Sequence, residues 1–199
     1  MKINLLTFAS NDHIMRTALV FWLMALVFLS ASCGTGHRLY FVRHAEKSTQ
    51  PPRDPDLTDI GKQRAESLSR LLRSKGINSI YSTDTRRTRQ TAEPLSRLQD
   101  IPVQLYSNDT AQRFLYLLLD REQSALVVGH SNTVISMLKE LGLTPTLKEI
   151  SDNDYDNLFI VIQRHRNGRA GYRLQLKERT YGRKSPPAGV EASGTMMMK

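Results

Sequence analysis

The feature that most restricts the fold of this chain is an alternation of short apolar runs with amphipathic stretches between residues 37 and 181. Short apolar runs are typical of buried strands, and apolar residues at helical spacing are typical of helices that pack with one face. Strands and helices that take turns along a chain build layered α/β folds. The pattern therefore predicts one α/β domain of three layers, in which helices flank a mixed, mostly parallel sheet.

Local signals place the individual elements. Extended segments are predicted at residues 38–42, 78–82, 102–106 and 125–128, and a hairpin is predicted from residues 158–163 and 172–176 around Asn167 and Gly168. Helices are predicted from Thr58 to a stop at Gly76, over residues 85–98, from a cap at Asp109 to Leu119, and over residues 132–141.

The length of the chain indicates a single domain with an appendage at each end. A chain of 199 residues with 40% hydrophobic residues supports one core. We assign the domain to residues 34–182. Residues 183–199 contain Pro, Gly and Ser without hydrophobic periodicity, which is typical of a disordered tail.

The first 33 residues have the layout of an export signal. Residues 18–30 are apolar and uncharged, Arg16 precedes them, and small residues and Cys33 follow. As a helix this run would span about 20 Å, less than the roughly 30 Å hydrocarbon core of a bilayer. A cleaved signal is therefore favoured over a permanent transmembrane helix.

Cys33 is the only cysteine, which excludes a disulfide framework and a thiolate metal cluster. Residues 29–34 (LSASCG) resemble a bacterial lipobox, in which small residues precede a cysteine that is lipidated and becomes the mature N-terminus. We therefore expect an exported lipoprotein, anchored to a membrane through Cys33 and facing the periplasm or cell envelope. The alternative is that Cys33 is an ordinary small residue beside a cleavage site.

The net charge of +9 does not indicate a nucleic-acid partner, because the basic residues are interleaved with acidic ones and no aromatic stripe accompanies them. A basic surface of this kind suits solubility or small anionic substrates. Solvated surface is expected for one loop and four arginines, namely residues 152–156, Arg64, Arg86, Arg89 and Arg97.

Polar residues follow three of the predicted strands. The groups are Arg43 with His44, Arg86 with Arg87, and Gly129 with His130 and Ser131. In open α/β sheets, ligands bind beyond the carboxyl ends of the strands. The planar, permanently charged fork of arginine suits phosphate. These groups predict an anion site that contains histidines.

A histidine attacks phosphorus with one ring nitrogen when a carbonyl holds the proton of the other nitrogen, because that hydrogen bond fixes the tautomer and orients the ring. A second histidine then helps to stabilise charge. His130 also precedes a predicted helix, so we expect Ser131 or Asn132 to cap that helix and its backbone N–H groups to favour a phosphate oxygen.

Four motifs occur in order along the chain. They are FVRHAEK at residues 41–47, LTDIGKQRA at residues 57–65, Arg87 followed by Thr91 and Ala92, and VVGHS at residues 127–131. Together they resemble the motifs of the histidine phosphatase superfamily, which has the phosphoglycerate-mutase-like fold. In size the domain is closest to the short phosphohistidine phosphatases of that superfamily.

The resemblance implies roles for individual residues. His44 would accept the phosphoryl group, and Arg43, Arg87 and His130 would form the phosphate pocket with Ser131 beside them. The superfamily needs no metal and no cofactor. A mutase is disfavoured because the domain lacks room for the extra loops that hold a phosphosugar in the mutases.

These motifs do not identify the residue that donates a proton to the leaving group. Ser131 follows the second histidine where many acid phosphatases of the superfamily have Asp, and Ala45 stands where many members have Gly. Glu46 and Asp109 are equal candidates for the acid, and Asp154 is a third.

These observations predict a metal-independent phosphatase that hydrolyses phosphomonoesters or phosphoramidates through a phosphohistidine on His44. Its substrate would be a phosphorylated small molecule or a phosphoprotein. One alternative is a lipoprotein that binds a phosphorylated ligand without catalysis, because it has lost the acid. Another is a cytoplasmic phosphohistidine phosphatase, which requires that residues 1–33 are not a signal.

Overall fold

The computed structural model describes Met15 and Arg16, residues 36–165 and residues 171–185. The fold below is that of the compact unit that begins at Gly36. The predicted signal, Cys33, the Asn167-Gly168 turn and most of the predicted tail lie outside the described residues and stay predictions. No helix in the described part of the chain is long and apolar enough to cross a bilayer.

Six strands form one mixed sheet with the spatial order β3-β2-β4-β1-β5-β6. The strands are β1 (His37–Arg43), β2 (Ser79–Ser82), β3 (Val103–Leu105), β4 (Ala125–Gly129), β5 (Asn157–His165) and β6 (Tyr172–Thr180). Neighbours among β3, β2, β4 and β1 are parallel, whereas β5 is antiparallel to β1 and β6 is antiparallel to β5. The predicted mixed, mostly parallel sheet is confirmed.

Helices cover both faces of the sheet, as the three-layer prediction requires. They are α1 (Asp59–Leu72), α2 (Arg86–Gln99), α3 (Ala111–Asp120) and α4 (Ser131–Glu140). Leu68 of α1 and Ala92 of α2 share a buried cluster with Val42 of β1. On the other face, α3 and α4 contribute to the cluster around Phe41. β1 and β4 are buried on both faces, which explains their continuously apolar sequences.

The start of α1 agrees with the sequence signals. The Thr58 side chain accepts a hydrogen bond from the Gly61 N–H at 3.1 Å and caps the helix. Beyond Leu72 the chain leaves the helix through a turn in which Gly76 has a φ of +64°. That left-handed conformation favours glycine, but the helix itself ends earlier, at Leu72 with Arg73 as its cap, so the predicted stop at Gly76 lies four residues too late.

The predicted cap at Asp109 is wrong. A 3₁₀ turn over Asn108–Thr110 precedes α3, which begins at Ala111. The hydroxyl of Ser107 accepts a hydrogen bond from the Asp109 N–H at 3.3 Å. Ser107 therefore caps the turn, and Asp109 lies within it.

The hairpin of β5 and β6 is confirmed, and its strands are longer than predicted. The two strands pair from Asn157 with Thr180 to His165 with Tyr172. On one face of β6, Leu174 and Leu176 pack against the core that α3 and α4 cover. The hairpin extends the sheet beside β1, so β6 forms one edge and β3 the other.

Candidate active site

The carboxyl ends of β1, β2 and β4 lie at one edge of the sheet, because these parallel strands are neighbours. Arg43 ends β1 and His44 follows it, while His130 follows β4. The His44 backbone N–H donates to the Gly129 carbonyl at 2.9 Å, so the first histidine is attached to the strand that carries the second. Arg87 reaches this point from the first turn of α2, which follows β2.

The His44 ring is buried and its tautomer is set by a local hydrogen bond. The side chain is 3% exposed, and Nδ1 lies 2.8 Å from the Ala45 carbonyl oxygen. A carbonyl oxygen only accepts, so Nδ1 carries the proton and Nε2 keeps its lone pair. Burial, together with the nearby charges of Arg43 and Arg87, lowers the pKa of His44 to about 3. The ring is therefore neutral near pH 7, and a neutral imidazole is the form of histidine that can act as a nucleophile.

The His130 ring stands edge-on to His44, with 5.5 Å between the ring centroids. Its Nε2 lies 3.0 Å from Oγ1 of Thr83, and its Nδ1 accepts a long hydrogen bond of 3.5 Å from Nη2 of Arg87. Burial and the positive charges of Arg87 and Arg43 lower the pKa of His130 to about 4. Two neutral imidazoles thus share a pocket with two guanidinium groups.

His130 is also the residue that precedes the first turn of α4. Its backbone N–H donates to Oγ1 of Thr133 at 2.9 Å. The cap is therefore at His130, and the prediction that Ser131 or Asn132 caps this helix is wrong. Ser131 is the first residue of α4 and lies next to His130, at the helix end whose N–H groups attract anions.

The two arginines differ in how they are held. Nη1 of the buried Arg43 donates to three backbone carbonyls of one loop, at 2.6 Å to Ser151, 3.0 Å to Asp152 and 3.2 Å to Asp154. Arg87 contacts His130 and lies 3.7 Å from the Asp54 carboxylate. The neighbouring Arg86 instead pairs with Asp56 at the surface. Of the two adjacent arginines, Arg87 is the one that reaches the histidines.

Both site arginines have a buried donor that no described residue satisfies. The Nε atoms of Arg43 and Arg87 are shielded from solvent and lack a hydrogen-bond partner within the described ranges. Buried donors are nearly always satisfied in folded proteins, so these two call for an acceptor. An oxyanion supplies such acceptors, because its oxygens bind guanidinium N–H groups through charge-assisted hydrogen bonds.

The loop over residues 152–156 was expected to be solvated, and that expectation is only partly correct. Asp152 is exposed, but the loop carbonyls hold Arg43, and Asp156 is buried and accepts a hydrogen bond from the Ser185 N–H at 3.1 Å. The Tyr155 ring lies 4.5 Å from the Arg43 guanidinium carbon and 6.1 Å from the His44 ring. Sequence reasoning missed Tyr155 because no motif surrounds it.

Glu46 lies close to the pocket, but its carboxylate forms an ion pair with Arg64. Nε and Nη2 of Arg64 donate to its carboxylate at 2.7 to 3.0 Å. Arg64 is only 3% exposed, and its Nη1 also donates to the Tyr181 carbonyl. The expectation that Arg64 lies on a solvated helix face is therefore wrong, because Glu46 and Tyr181 supply buried acceptors. Arg86, Arg89 and Arg97 are exposed, as expected.

The other two acid candidates stand in different surroundings. Asp109 is exposed in the turn after β3, which is separated from β1 by β2 and β4. Asp154 is half-buried in the loop that holds Arg43, and burial, with a contribution from Asp156, raises its pKa. The structure thus brings together Arg43, His44, Arg87 and His130, and does not place Glu46 or Asp109 among them as a free acid.

A cleft of about 400 Å³ opens beside the pocket, and the Tyr155 ring forms part of its wall. Ile60 and Tyr155 supply apolar surface, and Arg183 and Lys184 supply exposed positive charge. The Tyr155 N–H donates to Oγ of Ser185 at 2.9 Å, which attaches the chain after β6 to the loop that carries Tyr155. Within the described ranges, no group of histidine, cysteine, aspartate or glutamate side chains is arranged to hold a metal ion.

Comparison with known proteins agrees with this geometry. Residues 39–108 match the family model described as histidine phosphatase superfamily (branch 1). That range contains Arg43, His44 and Arg87, while His130 lies beyond it. Comparison with curated proteins gives no match.

Solved structures share the fold at low sequence identity. A mycobacterial glucosyl-3-phosphoglycerate phosphatase aligns with a TM-score of 0.57 and 15% identity, over 71% of this chain and 97% of that one. The protein histidine phosphatase SixA, solved with tungstate, aligns with a TM-score of 0.55 and 16% identity, over 72% and 96%. YhfR of Bacillus stearothermophilus aligns with a TM-score of 0.53 and 17% identity, over 63% and 90%. The predicted phosphoglycerate-mutase-like fold is confirmed.

Proposed function

We propose that this chain, which belongs to the histidine phosphatase superfamily, hydrolyses phosphomonoesters or phosphoramidates through a phosphohistidine intermediate on His44. Membership of the superfamily supports phosphatase activity in general. The observation that carries the finer proposal is the pairing of a neutral, oriented His44 with two buried arginine Nε donors that lack acceptors among the described residues. A phosphoryl group placed in this pocket would satisfy both donors and face Nε2 of His44.

The reaction would proceed in two displacements. Nε2 of His44 attacks phosphorus, so a nitrogen–phosphorus bond forms while the bond to the leaving group breaks and the leaving group takes up a proton from solvent. Water then attacks the phosphohistidine and loses a proton to solvent, the nitrogen–phosphorus bond breaks, and inorganic phosphate and neutral His44 are released. Arg43, Arg87 and His130 would stabilise the charge spread over the phosphoryl oxygens, which is the main contribution a protein makes to such transfers.

The surroundings of Glu46 bear on the class of substrate. Both of its oxygens accept hydrogen bonds from Arg64, so it is not free to deliver a proton. We therefore propose substrates whose leaving group departs easily, such as aryl phosphates or phosphoramidates. The cleft lined by Ile60, Tyr155, Arg183 and Lys184 would take that leaving group, with its apolar part against Ile60 and Tyr155.

The first test is hydrolysis of para-nitrophenyl phosphate by the full chain, purified in detergent, with EDTA present. We expect activity that disappears in His44→Ala and persists in His165→Ala, because His165 lies on β5 and pairs with Glu122 at the surface. Quenching the reaction with labelled substrate should trap an acid-labile phosphoprotein in wild type only. An active His44→Ala variant would exclude His44 as the nucleophile, and activity lost with EDTA would exclude the metal-independent reaction.

A second candidate function is a module that binds a phosphorylated ligand without turnover, and the engagement of Glu46 by Arg64 favours it. Such a protein would bind tungstate or phosphate in the same pocket. It would leave para-nitrophenyl phosphate intact, although that substrate needs no acid, and no phosphoprotein would be trapped. The two candidates are therefore separated by the same experiment.

We also propose that the chain is exported and anchored through a lipid on Cys33, on the basis of the apolar run and the lipobox-like residues before it. Labelled palmitate should be incorporated into wild type and not into Cys33→Ser. Equal labelling of the two proteins, or recovery of unlabelled wild type from the cytoplasm, would contradict this anchor.

A further inference from the structure

A groove of about 600 Å³ lies between the C-terminal end of α1 and strands β1, β5 and β6. It shares no residue with the pocket of His44. Its lining combines apolar side chains of α1, β1 and β5 with five cationic ones, namely Arg38, Lys75, Arg164, Lys177 and Arg179.

The strand register explains why apolar residues form the floor and cations form the rim. In antiparallel pairs, side chains of directly opposed residues lie on the same face of the sheet. Tyr40 of β1 opposes Ile160 of β5, which opposes Lys177 of β6. The next pairs on this face are Arg38 with Ile162 and Leu158 with Arg179. The apolar side chains of β5 therefore run along the middle, with positive charge on either side.

The charge on this rim is of one sign. Five of the lining residues carry a positive charge, and no lining residue is acidic. None of the five forms an ion pair with another residue in the described part of the chain. The acidic residue of β6, Glu178, lies on the opposite face, where it accepts a hydrogen bond from the Thr146 N–H. The groove is thus complementary to a partner that is apolar along its centre and negative along its sides.

The dimensions of the groove fit one helix. Neighbouring strands lie about 4.8 Å apart, so the span from β1 to β6 is roughly 10 Å, which is the diameter of an α-helix with short side chains. On this face α1 and α2 already pack on the inner strands. Leu71 at the end of α1 is 40% exposed and borders the groove. A further helix laid on β5 would continue the helical layer.

We propose that this groove binds an amphipathic helix of a partner protein, whose apolar stripe is flanked by Asp and Glu. The apolar stripe packs on the partly exposed Ile160 and on Leu71 at the end of α1, while Leu158 and Ile162 lie buried in the floor. The flanking carboxylates pair with Lys177 and Arg179 on one side and with Arg38 on the other. This is recognition of a helix in a groove, in which spaced apolar anchors give affinity and charge complementarity gives specificity.

The test is fluorescence anisotropy of a labelled synthetic helix of about 14 residues, with leucines at helical spacing between rows of Glu. The protein is the full chain in detergent. We expect saturable binding that is weakened about tenfold or more in Lys177→Glu/Arg179→Glu. The matched control is Arg113→Glu/Lys139→Glu, which makes the same change in net charge at exposed positions on α3 and α4. It should bind as wild type does.

Three further results separate this proposal from its alternatives. A scrambled peptide of the same composition should bind at least about tenfold more weakly, because it lacks a continuous apolar stripe. Both double variants should hydrolyse para-nitrophenyl phosphate as wild type does, which shows that they are folded. Equal weakening by the control variant would overturn the proposal. It would also be overturned if wild type does not bind the peptide, whether or not phosphatidylglycerol vesicles are bound through Lys177 and Arg179.

Discussion

His44 and His130 stand beside two permanent positive charges, and their charge state controls the chemistry of the pocket. Burial is the largest cause that lowers their pKa values, to about 3 and about 4. Both rings are therefore neutral at physiological pH. In the proposed reaction the arginines would supply the positive charge for an anion, and neutral His44 would keep the lone pair with which it attacks.

Because the pKa values of His44 and His130 in the folded protein lie below the ordinary histidine value, the stability of the fold depends on pH. In the unfolded chain both histidines titrate near pH 6.5. As the pH falls from about 6.5 towards 4, the unfolded chain takes up protons that the folded chain does not, so the folded state loses stability. Each histidine contributes up to about 1.4 kcal/mol per pH unit to this loss. Urea unfolding between pH 7 and pH 5 measures it.

The control for the pH experiment is the His44→Gln/His130→Gln double variant. Glutamine does not titrate, so we expect a shallower loss of unfolding free energy in the variant over the same pH range. Parallel pH profiles of wild type and variant would show that the two histidines do not carry the effect.

The Glu46–Arg64 pair predicts a structural role for Glu46. Glu46→Gln would leave the buried Arg64 without its counter-charge, and breaking a buried ion pair costs about 3 kcal/mol. We therefore expect a lower free energy of unfolding. The ratio of kcat/KM for para-nitrophenyl phosphate to that for an alkyl phosphate should stay unchanged, because Glu46 does not deliver the proton.

Denaturant unfolding and steady-state kinetics on the two substrates check this prediction. Asp109→Asn, at an exposed position, is the comparison for stability and should unfold as wild type does. A selective loss of alkyl phosphate hydrolysis in Glu46→Gln would identify Glu46 as the acid instead.

At the scale of elements, the sequence predicts the strands, helix caps and turns that depend only on residues close together along the chain. The strands before His44 and His130 are predictable because both are buried on two faces and are therefore continuously apolar. The cap of α1 at Thr58 is predictable because capping is local. The hairpin is predictable because two strand-like segments lie on either side of a turn signal.

The sequence does not predict contacts between segments that are far apart along the chain. Arg43 and the Ser151 carbonyl are 108 residues apart, and Arg64 and the Tyr181 carbonyl are 117 residues apart. No pattern near Tyr155 indicates that it stacks on Arg43, and none near Arg64 indicates that this arginine is buried. These contacts arise only when the loop before β5 packs against the end of β1 and the chain after β6 packs against α1.

The start of α1 holds the backbone that follows His44. A Cβ at Gly61 would overlap the Glu46 carbonyl oxygen, so the helix approaches this backbone as closely as glycine allows. Gly61→Ala would push α1 away from the segment whose Ala45 carbonyl orients His44. We expect a loss of about 2 kcal/mol in stability, as for other overpacked sites, together with a lower kcat.

Thermal unfolding and hydrolysis of para-nitrophenyl phosphate measure both effects. Lys62→Ala, the next position of the same helix, is exposed and should change neither quantity appreciably. A Gly61→Ala variant with wild-type stability and kcat would show that the close approach of α1 is not needed to position His44.

At the scale of the whole molecule, two positively charged regions lie at different places on the sheet. The pocket of His44 and His130 lies at the carboxyl ends of the parallel strands, whereas the groove on β5 and β6 lies on one face of the antiparallel hairpin. The net charge of +9 attracts anions to the molecule generally. Binding of an anion at the pocket must therefore be distinguished from attraction to the surface in general. Substitution of Arg86 or Arg87 makes this distinction, because the two arginines are adjacent in sequence but only Arg87 contacts His130.

Inorganic phosphate should stabilise the folded protein through the pocket. A ligand that binds only the folded state adds about 2.7 kcal/mol at a concentration of 100 times its dissociation constant. For a domain of this size we expect the melting temperature to rise by roughly 5 to 10 °C.

Arg87→Ala should remove most of this rise, because Arg87 contacts His130 and has a buried Nε without a described partner. Arg86→Ala removes the same charge from an exposed pair with Asp56 and should keep the rise. Thermal unfolding with phosphate, and with chloride at equal ionic strength, measures the difference. If the two variants lose the rise equally, phosphate acts through the general positive charge of the surface, and the pocket between Arg43, His44, Arg87 and His130 is not its site.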